Sequence, residues 1–156
     1  MNSTTTTTRP QLDTSRVQLA LNVDDIDEAV AFYSELFSAQ PHKRRPGYAN
    51  FALTEPPLKL VLIENPGHGG SLNHLGVEVG TTDEVSAATQ RLTEAGLASA
   101  VEDATTCCYA VQDKVWATGP GGEKWEVYTI LDDLPTEAEA GMNPDDTCCT
   151  GDGGCC

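Results

Sequence analysis

Two adjacent cysteines, Cys107 and Cys108, sit in the middle of the chain within Thr105-Thr106-Cys107-Cys108-Tyr109. Neighbouring cysteines are poor disulfide partners, because so small a ring strains the disulfide dihedral and Cα spacing. Reduced, they offer two soft thiolates side by side, and soft thiolates select thiophilic centres. A trivalent arsenical bearing one carbon group has two exchangeable positions, which two adjacent thiols would fill. The same pair also fits two small buried core residues. A second set of residues lies far apart in sequence. Gln18 and His74 each stand two residues before a very small side chain, Ala20 and Gly76 respectively, and Glu126 lies in Lys124-Trp125-Glu126-Val127-Tyr128. An amide oxygen, an imidazole nitrogen and a carboxylate form a mixed N/O donor set. It is close to the two-histidine, one-carboxylate facial arrangement that suits Fe(II) and leaves about three coordination positions open. With one carboxylate, the unit carries a formal charge near +1. Taken singly, His74 fits a satisfied strand histidine, Gln18 is an uncommon ligand type, and Glu126 fits an ion pair with Lys124 or Arg91.

The elements that must bring these residues together follow from periodicity. Arg16 to Val23 alternates, with Val17, Leu19, Leu21 and Val23 on one face and Gln18, Ala20 and Asn22 on the other, which predicts a strand. Asp25 and Glu28 have capping-box spacing ahead of a helical stripe of Ile26, Ala29, Val30, Tyr33 and Phe37. Tyr48 to Leu53 and Leu58 to Glu64 read as strands, and Asn65 to Gly70 as a linker. The pattern then restarts. Leu72 to Val79 alternates with His74, Gly76 and Glu78 on the polar face. Thr81 and Glu84 repeat the capping box, Val85, Ala88, Leu92 and Ala95 form a stripe, and Gly96 ends it. Leu97 to Ala104, Val111 to Thr118 and Lys124 to Leu131 read as strands.

A shift of 56 positions lays Gln18 on His74, Ala20 on Gly76, Asp25 on Thr81 and Glu28 on Glu84. Faces and caps register together, so the chain reads as an internal repeat of strand, helix and three strands. The expected fold is α+β, with paired βαβββ modules forming one curved mixed sheet and helices on its oily outer side. The expected domain spans 16–131, in modules 16–65 and 72–131. A Thr-rich leader occupies 1–15. From 132 to 156 the chain carries acidic residues but no Lys or Arg, which reads as a flexible tail.

Composition narrows the function. Of 156 residues, 39% are hydrophobic and the formal net charge is −15, which argues against nucleic acid and anionic membrane surfaces as partners. No stretch is apolar enough to span a bilayer, and Met1 to Pro10 lacks the apolar core of a secretory signal. All six cysteines occur in adjacent pairs: Cys107-Cys108, Cys148-Cys149 and Cys155-Cys156. Reduced dithiols in a cytoplasmic protein are the expectation. The four tail thiols fit either a scavenger of arsenite or Cd(II), or an inert end. Lys43-Arg44-Arg45 fits a solvated loop or a receiver for an anionic ring substituent.

Val17 to Val23, Asn73-His74-Leu75-Gly76, Thr105 to Tyr109 and Lys124 to Tyr128 together resemble the vicinal oxygen chelate superfamily of glyoxalases, bleomycin resistance proteins and dioxygenases. Within it they resemble the ArsI branch of carbon–arsenic lyases, whose relatives are often labelled cadmium-induced proteins. The resemblance covers about residues 16 to 131. It implies a non-haem Fe(II) enzyme in which Gln18, His74 and Glu126 hold the metal and Cys107 and Cys108 hold the substrate arsenic. It implies O2-dependent cleavage of the C–As bond of methylarsenite or trivalent aromatic arsenicals, releasing arsenite. Gln18 departs from the histidine usual in extradiol relatives. Members of the superfamily often dimerise, and the sequence leaves open whether the modules close within one chain or across two. Two other readings stand beside this one. A non-catalytic Cd(II)/As(III)-binding protein would use the cysteines and leave the donor set idle. A glyoxalase- or fosfomycin-resistance-type metalloenzyme would need a fourth ligand from Leu58 to Glu64.

Overall fold

In the computed structural model, residues 15–107 and 110–133 are described, with backbone alone at Cys107 and Asp133. The expectations for the leader through residue 14, for the tail from residue 134, and for the Cys107 and Cys108 side chains lie outside the described residues.

Among the described residues, ten elements follow in order: β1 (Arg16–Val23), α1 (Ile26–Phe37), β2 (Lys43–Arg45), β3 (Tyr48–Thr54), β4 (Pro57–Glu64), β5 (Leu72–Glu78), α2 (Thr82–Glu94), β6 (Ala98–Cys107), β7 (Ala110–Thr118) and β8 (Lys124–Asp133). One eight-stranded sheet runs β2-β3-β4-β1-β5-β8-β7-β6. β1 and β5 meet antiparallel at its centre, and each takes the last strand of its own module as a parallel neighbour, β4 and β8 respectively. Both modules therefore close within one chain. The first of the three strands that follow the helix in the first module is Lys43–Arg45, a short basic segment whose composition reads as a loop. It forms because β3 offers it an antiparallel edge, with Lys43 opposite Asn50.

Local chemistry starts the helices as the spacing predicts. Asp25 caps α1 by accepting from the Glu28 N–H, and α2 has the reciprocal capping box of Thr81 and Glu84. The main core lies beneath α1. Ile26 and Val30 pack on Ala49, Phe51, Leu60 and Leu62, with Leu19 and Leu21 alongside. The buried apolar side chains of this core remove enough surface from water to stabilise the fold by about 1.5–3 kcal/mol each for Ile, Leu and Phe.

The polar face of β1 is buried more deeply than its oily face. Gln18, Ala20 and Asn22 are all buried, whereas Val17 is 49% exposed. The sheet curls so that both modules wrap the polar side, and that concave interior holds the candidate site.

β6 runs to Cys107, past the expected end at Ala104, through a bulge near Asp103 and Ala104. Ala104 has φ 48°, an uncommon conformation for a residue with a Cβ. Asp113 braces it: Oδ1 accepts from the Ala104 N–H at 2.7 Å, and Oδ2 accepts from the Thr82 hydroxyl at 2.9 Å. This brace carries the strand on to the Cys107 backbone.

Candidate metal centre

The central strands pair in a crossed register. Gln18 lies opposite Gly76, and Ala20 lies opposite His74. Each polar residue thus faces the small residue of its repeat mate. Gly76 also lies beside Glu126 on β8. Gln18, His74 and Glu126 are brought together in the buried interior, at 4%, 2% and 2% exposure.

Gln18 Nε2 is 2.7 Å from Glu126 Oε1 and 3.0 Å from His74 Nε2. His74 Nε2 is 3.4 Å from the same Glu126 oxygen. In an octahedral site with bonds of about 2.1 Å, neighbouring donors lie about 3.0 Å apart. The triangle therefore fits one face of a divalent cation. The amide meets this geometry with its nitrogen, whose two N–H donors satisfy the imidazole and the carboxylate. Its Oε1 accepts from the Tyr128 hydroxyl in a short hydrogen bond. Half a turn of the amide would present Oε1 to a metal and Nε2 to Tyr128, whose hydroxyl both donates and accepts. Burial, together with the nearby Glu78 and Glu126 charges, pushes the Tyr128 hydroxyl well up, so it keeps its proton.

The second oxygen of Glu126 is committed elsewhere. Oε2 lies 2.9 Å from Lys114 Nζ, and both side chains are buried. Glu126 would therefore offer a metal one oxygen. Burial raises its pKa, but the Lys114 charge leads the influences that outweigh it, and the value falls from 4.5 to about 2. Lys114 also stands 5.4 Å from the Trp116 ring centre, and Trp116 packs edge-on against His74 at 5.5 Å. With Lys114 counted, a divalent cation here would sit in a cluster of formal charge near +2, one more than the donor set alone gives.

The repeat also fixes what is missing. Val61 lies beside Ala20 as Glu126 lies beside Gly76, so Val61 is the mate of Glu126. An alkyl group thus stands where a fourth donor would. Glu64 faces the other side of the sheet, where Oε2 accepts from the Ile26 N–H at 2.9 Å. The fourth ligand required by a glyoxalase-type reading is not supplied by β4. The same concave face carries a cavity lined in part by the three candidate ligands, Asn50, Lys43 and Ala110. Asn50 Oδ1 is a buried acceptor without a protein donor on that wall. Ala110 is the strand partner of Cys107.

A model of the Glyoxalase/Bleomycin resistance protein/Dioxygenase superfamily matches residues 15–127. The chain belongs to this superfamily. Among its relatives, the "Cadmium-induced protein CadI" of Mycobacterium tuberculosis is 69% identical over 122 residues, covering 78% of this chain and 80% of that one. A "Trivalent organoarsenical cleaving enzyme" of Thermomonospora curvata is 58% identical over 137 residues, covering 87% and 89%. Among solved superfamily folds, the Mn(II)-bound glyoxalase of Novosphingobium aromaticivorans superposes with a TM-score of 0.58 at 20% identity, covering 78% of this chain and 42% of that one. That likeness establishes the paired-module fold.

Lys114 and Tyr128 were not singled out by the sequence, although strand parity points to both. Tyr128 is two residues from Glu126, and Lys114 shares a face with Gln112 and Trp116. Gly76 also keeps the central strands close to Glu126. A Cβ there would lie 3.0 Å from Glu126 Cγ, 3.2 Å from its carbonyl oxygen and 3.3 Å from Gln18 Cβ. The carbonyl is strand backbone and yields little. Gly76→Ala is expected to cost about 1–3 kcal/mol in stability. A metal held by Gln18, His74 and Glu126 would also bind about 10–100-fold more weakly, as for a displaced supporting contact. Thermal unfolding and Fe(II) titration would check both.

Proposed function

We propose that this superfamily member is a carbon–arsenic lyase that cleaves trivalent organoarsenicals with Fe(II) and O2. The reading is carried by the convergence of Gln18, His74 and Glu126 around one point, on a wall shared with the strand partner of Cys107. The 58% identity to a protein named for organoarsenical cleavage supplies the substrate class. Gln18, His74 and Glu126 hold the metal, and Cys107 and Cys108 take the two exchangeable positions of arsenic. When bound, Fe(II) supplies open coordination positions and redox chemistry with O2 that no side chain here possesses. The thiols fix the carbon group at the cavity, where positioning alone is worth several kcal/mol. Lys114 holds Glu126 ionised and to one oxygen. Cys107→Ala or Cys108→Ala is expected to raise KM for methylarsenite steeply, as measured by arsenite release.

Val61 keeps the position related to Glu126 free of a donor. Val61→Glu is expected to give a four-donor site that retains metal through dialysis but loses at least about 10-fold in arsenite release, because one open position closes. Metal analysis and the product assay on the same preparation would check this.

A second reading is a Cd(II)- or As(III)-sequestering protein without turnover, which would use the paired cysteines; a relative 69% identical is named as cadmium-induced. One experiment separates the two. Anaerobic protein loaded with Fe(II) and methylarsenite is exposed to air, and arsenite is measured. Arsenite formed only with both Fe(II) and O2 supports the lyase. Bound methylarsenite returned intact supports the sequestering protein.

A further inference from the structure

The interior face of β5 holds a residue that strand geometry should have turned away. Asn73 immediately precedes His74, and successive strand side chains point to opposite faces. The β1–β5 register breaks at this point: Ala20 is opposite His74, and Leu21 is opposite Leu72, which leaves Asn73 as an extra residue. A bulge of this kind re-aims a side chain. Here it brings Asn73 Oδ1 to 2.7 Å from His74 Nδ1.

That contact begins a chain of hydrogen bonds reaching into the linker between the modules. Asn73 Nδ2 lies 3.1 Å from Asn22 Oδ1, and Asn22 Nδ2 lies 2.9 Å from Ser71 Oγ. Ser71 Oγ lies 2.6 Å from the His68 carbonyl. Amide ends are alike in shape, so direction must come from a partner of fixed polarity. The His68 carbonyl is such a partner, because it can only accept. Ser71 must therefore donate its one hydroxyl proton to it and accept from Asn22. Asn22 then presents its NH2 to Ser71 and its oxygen to Asn73. Asn73 presents its NH2 to Asn22 and its oxygen to His74. An oxygen there requires the proton on Nδ1, which leaves Nε2 with a lone pair facing Gln18 and Glu126. The far side of the ring agrees, since the Glu126 carboxylate can only accept and so fixes the Gln18 NH2 on this side, where it also lies 3.0 Å from Nε2.

We propose that the bulged Asn73, oriented by Asn22, Ser71 and the His68 carbonyl, is a positioning device that sets the His74 tautomer and so presents Nε2 to the metal. The inference deepens the metal role of His74 proposed above, but the relay itself is a property of the metal-free chain. The linker Asn65 to Gly70, which composition alone marks as a spacer, thereby becomes part of the site together with Ser71.

The test uses the full-length, metal-free protein with 15N-labelled histidine, at a pH above the ordinary histidine range. His74 is expected to be almost wholly the Nδ1–H tautomer. Asn73→Leu and Asn22→Leu should each let the Nε2–H form appear, and Asn73→Leu should weaken Fe(II) binding by about 10–100-fold. Ser71→Ala, at an exposed position, should give the same mixing in milder form while the far-ultraviolet spectrum stays native. Nε2–H as the main wild-type form would overturn the proposal. So would unchanged Nδ1–H in folded Ser71→Ala together with a folded Leu variant. If the tautomers behave as expected but no metal binds, the relay stands and the metal-centre reading falls.

Discussion

Replacing His74 by alanine is expected to abolish both metal retention and arsenite release. The imidazole would be the one nitrogen ligand of the set, and its Nε2 lies 3.4 Å from Glu126 Oε1 and 3.0 Å from the Gln18 amide end that turns to bring Oε1 to the metal. Alanine would leave an amide and a carboxylate, a pair that Lys114 and the Gln18 N–H groups already satisfy without any metal. The loss should exceed the roughly 10–100-fold typical of removing an outer hydrogen-bond partner. The variant should still fold, because the space it vacates lies between polar groups and the Trp116 ring, away from the α1 core. Metal content after anaerobic dialysis, read beside the product assay, would check the expectation. His74→Ala that kept iron and full activity would remove the imidazole from the account.

Lys114→Met is expected to be the most destabilising single change near the site. Lys114 and Glu126 form a buried ion pair with an N–O distance of 2.9 Å. Removing one partner leaves an uncompensated buried charge, which costs about 3–5 kcal/mol. For a domain of this size that is about 10 °C or more in Tm. The double variant Lys114→Met/Glu126→Gln should recover part of the loss, because the orphaned charge is then gone. Fe(II) should also recover part of it by replacing the missing cation. The same pair sets an acid limit. The folded pKa of Glu126 is depressed from 4.5 to about 2, so its contribution is complete above pH 4.5 and disappears as pH falls through about 2. Glu126→Gln should flatten that part of the stability profile, measured by urea unfolding against pH on the metal-free protein.

The strands and helices were legible because alternation and capping residues act over a few positions. Gln18 and His74 could be paired from sequence because the 56-residue repeat carries strand parity with it. Their crossed placement, each opposite the other's small neighbour, is a property of β1–β5 register and is invisible to composition. Lys43–Arg45 reads as a loop because three basic residues carry no alternation, and the exposed edge of β3 decides the matter. Asn73 could not be assigned to the interior from parity, since parity fails at a bulge. Lys114 was passed over because an ionised lysine is seldom buried without a partner, and its partner lies on the next strand.

Anomalous diffraction at the iron edge from anaerobically Fe(II)-loaded crystals tests the central claim most directly. The account predicts one iron peak bonded to His74 Nε2, to one oxygen of Glu126 and to Gln18 Oε1, with the Gln18 amide turned half a revolution and Nε2 toward Tyr128. Iron held by cysteine sulfur, or a peak away from these three side chains, would contradict it.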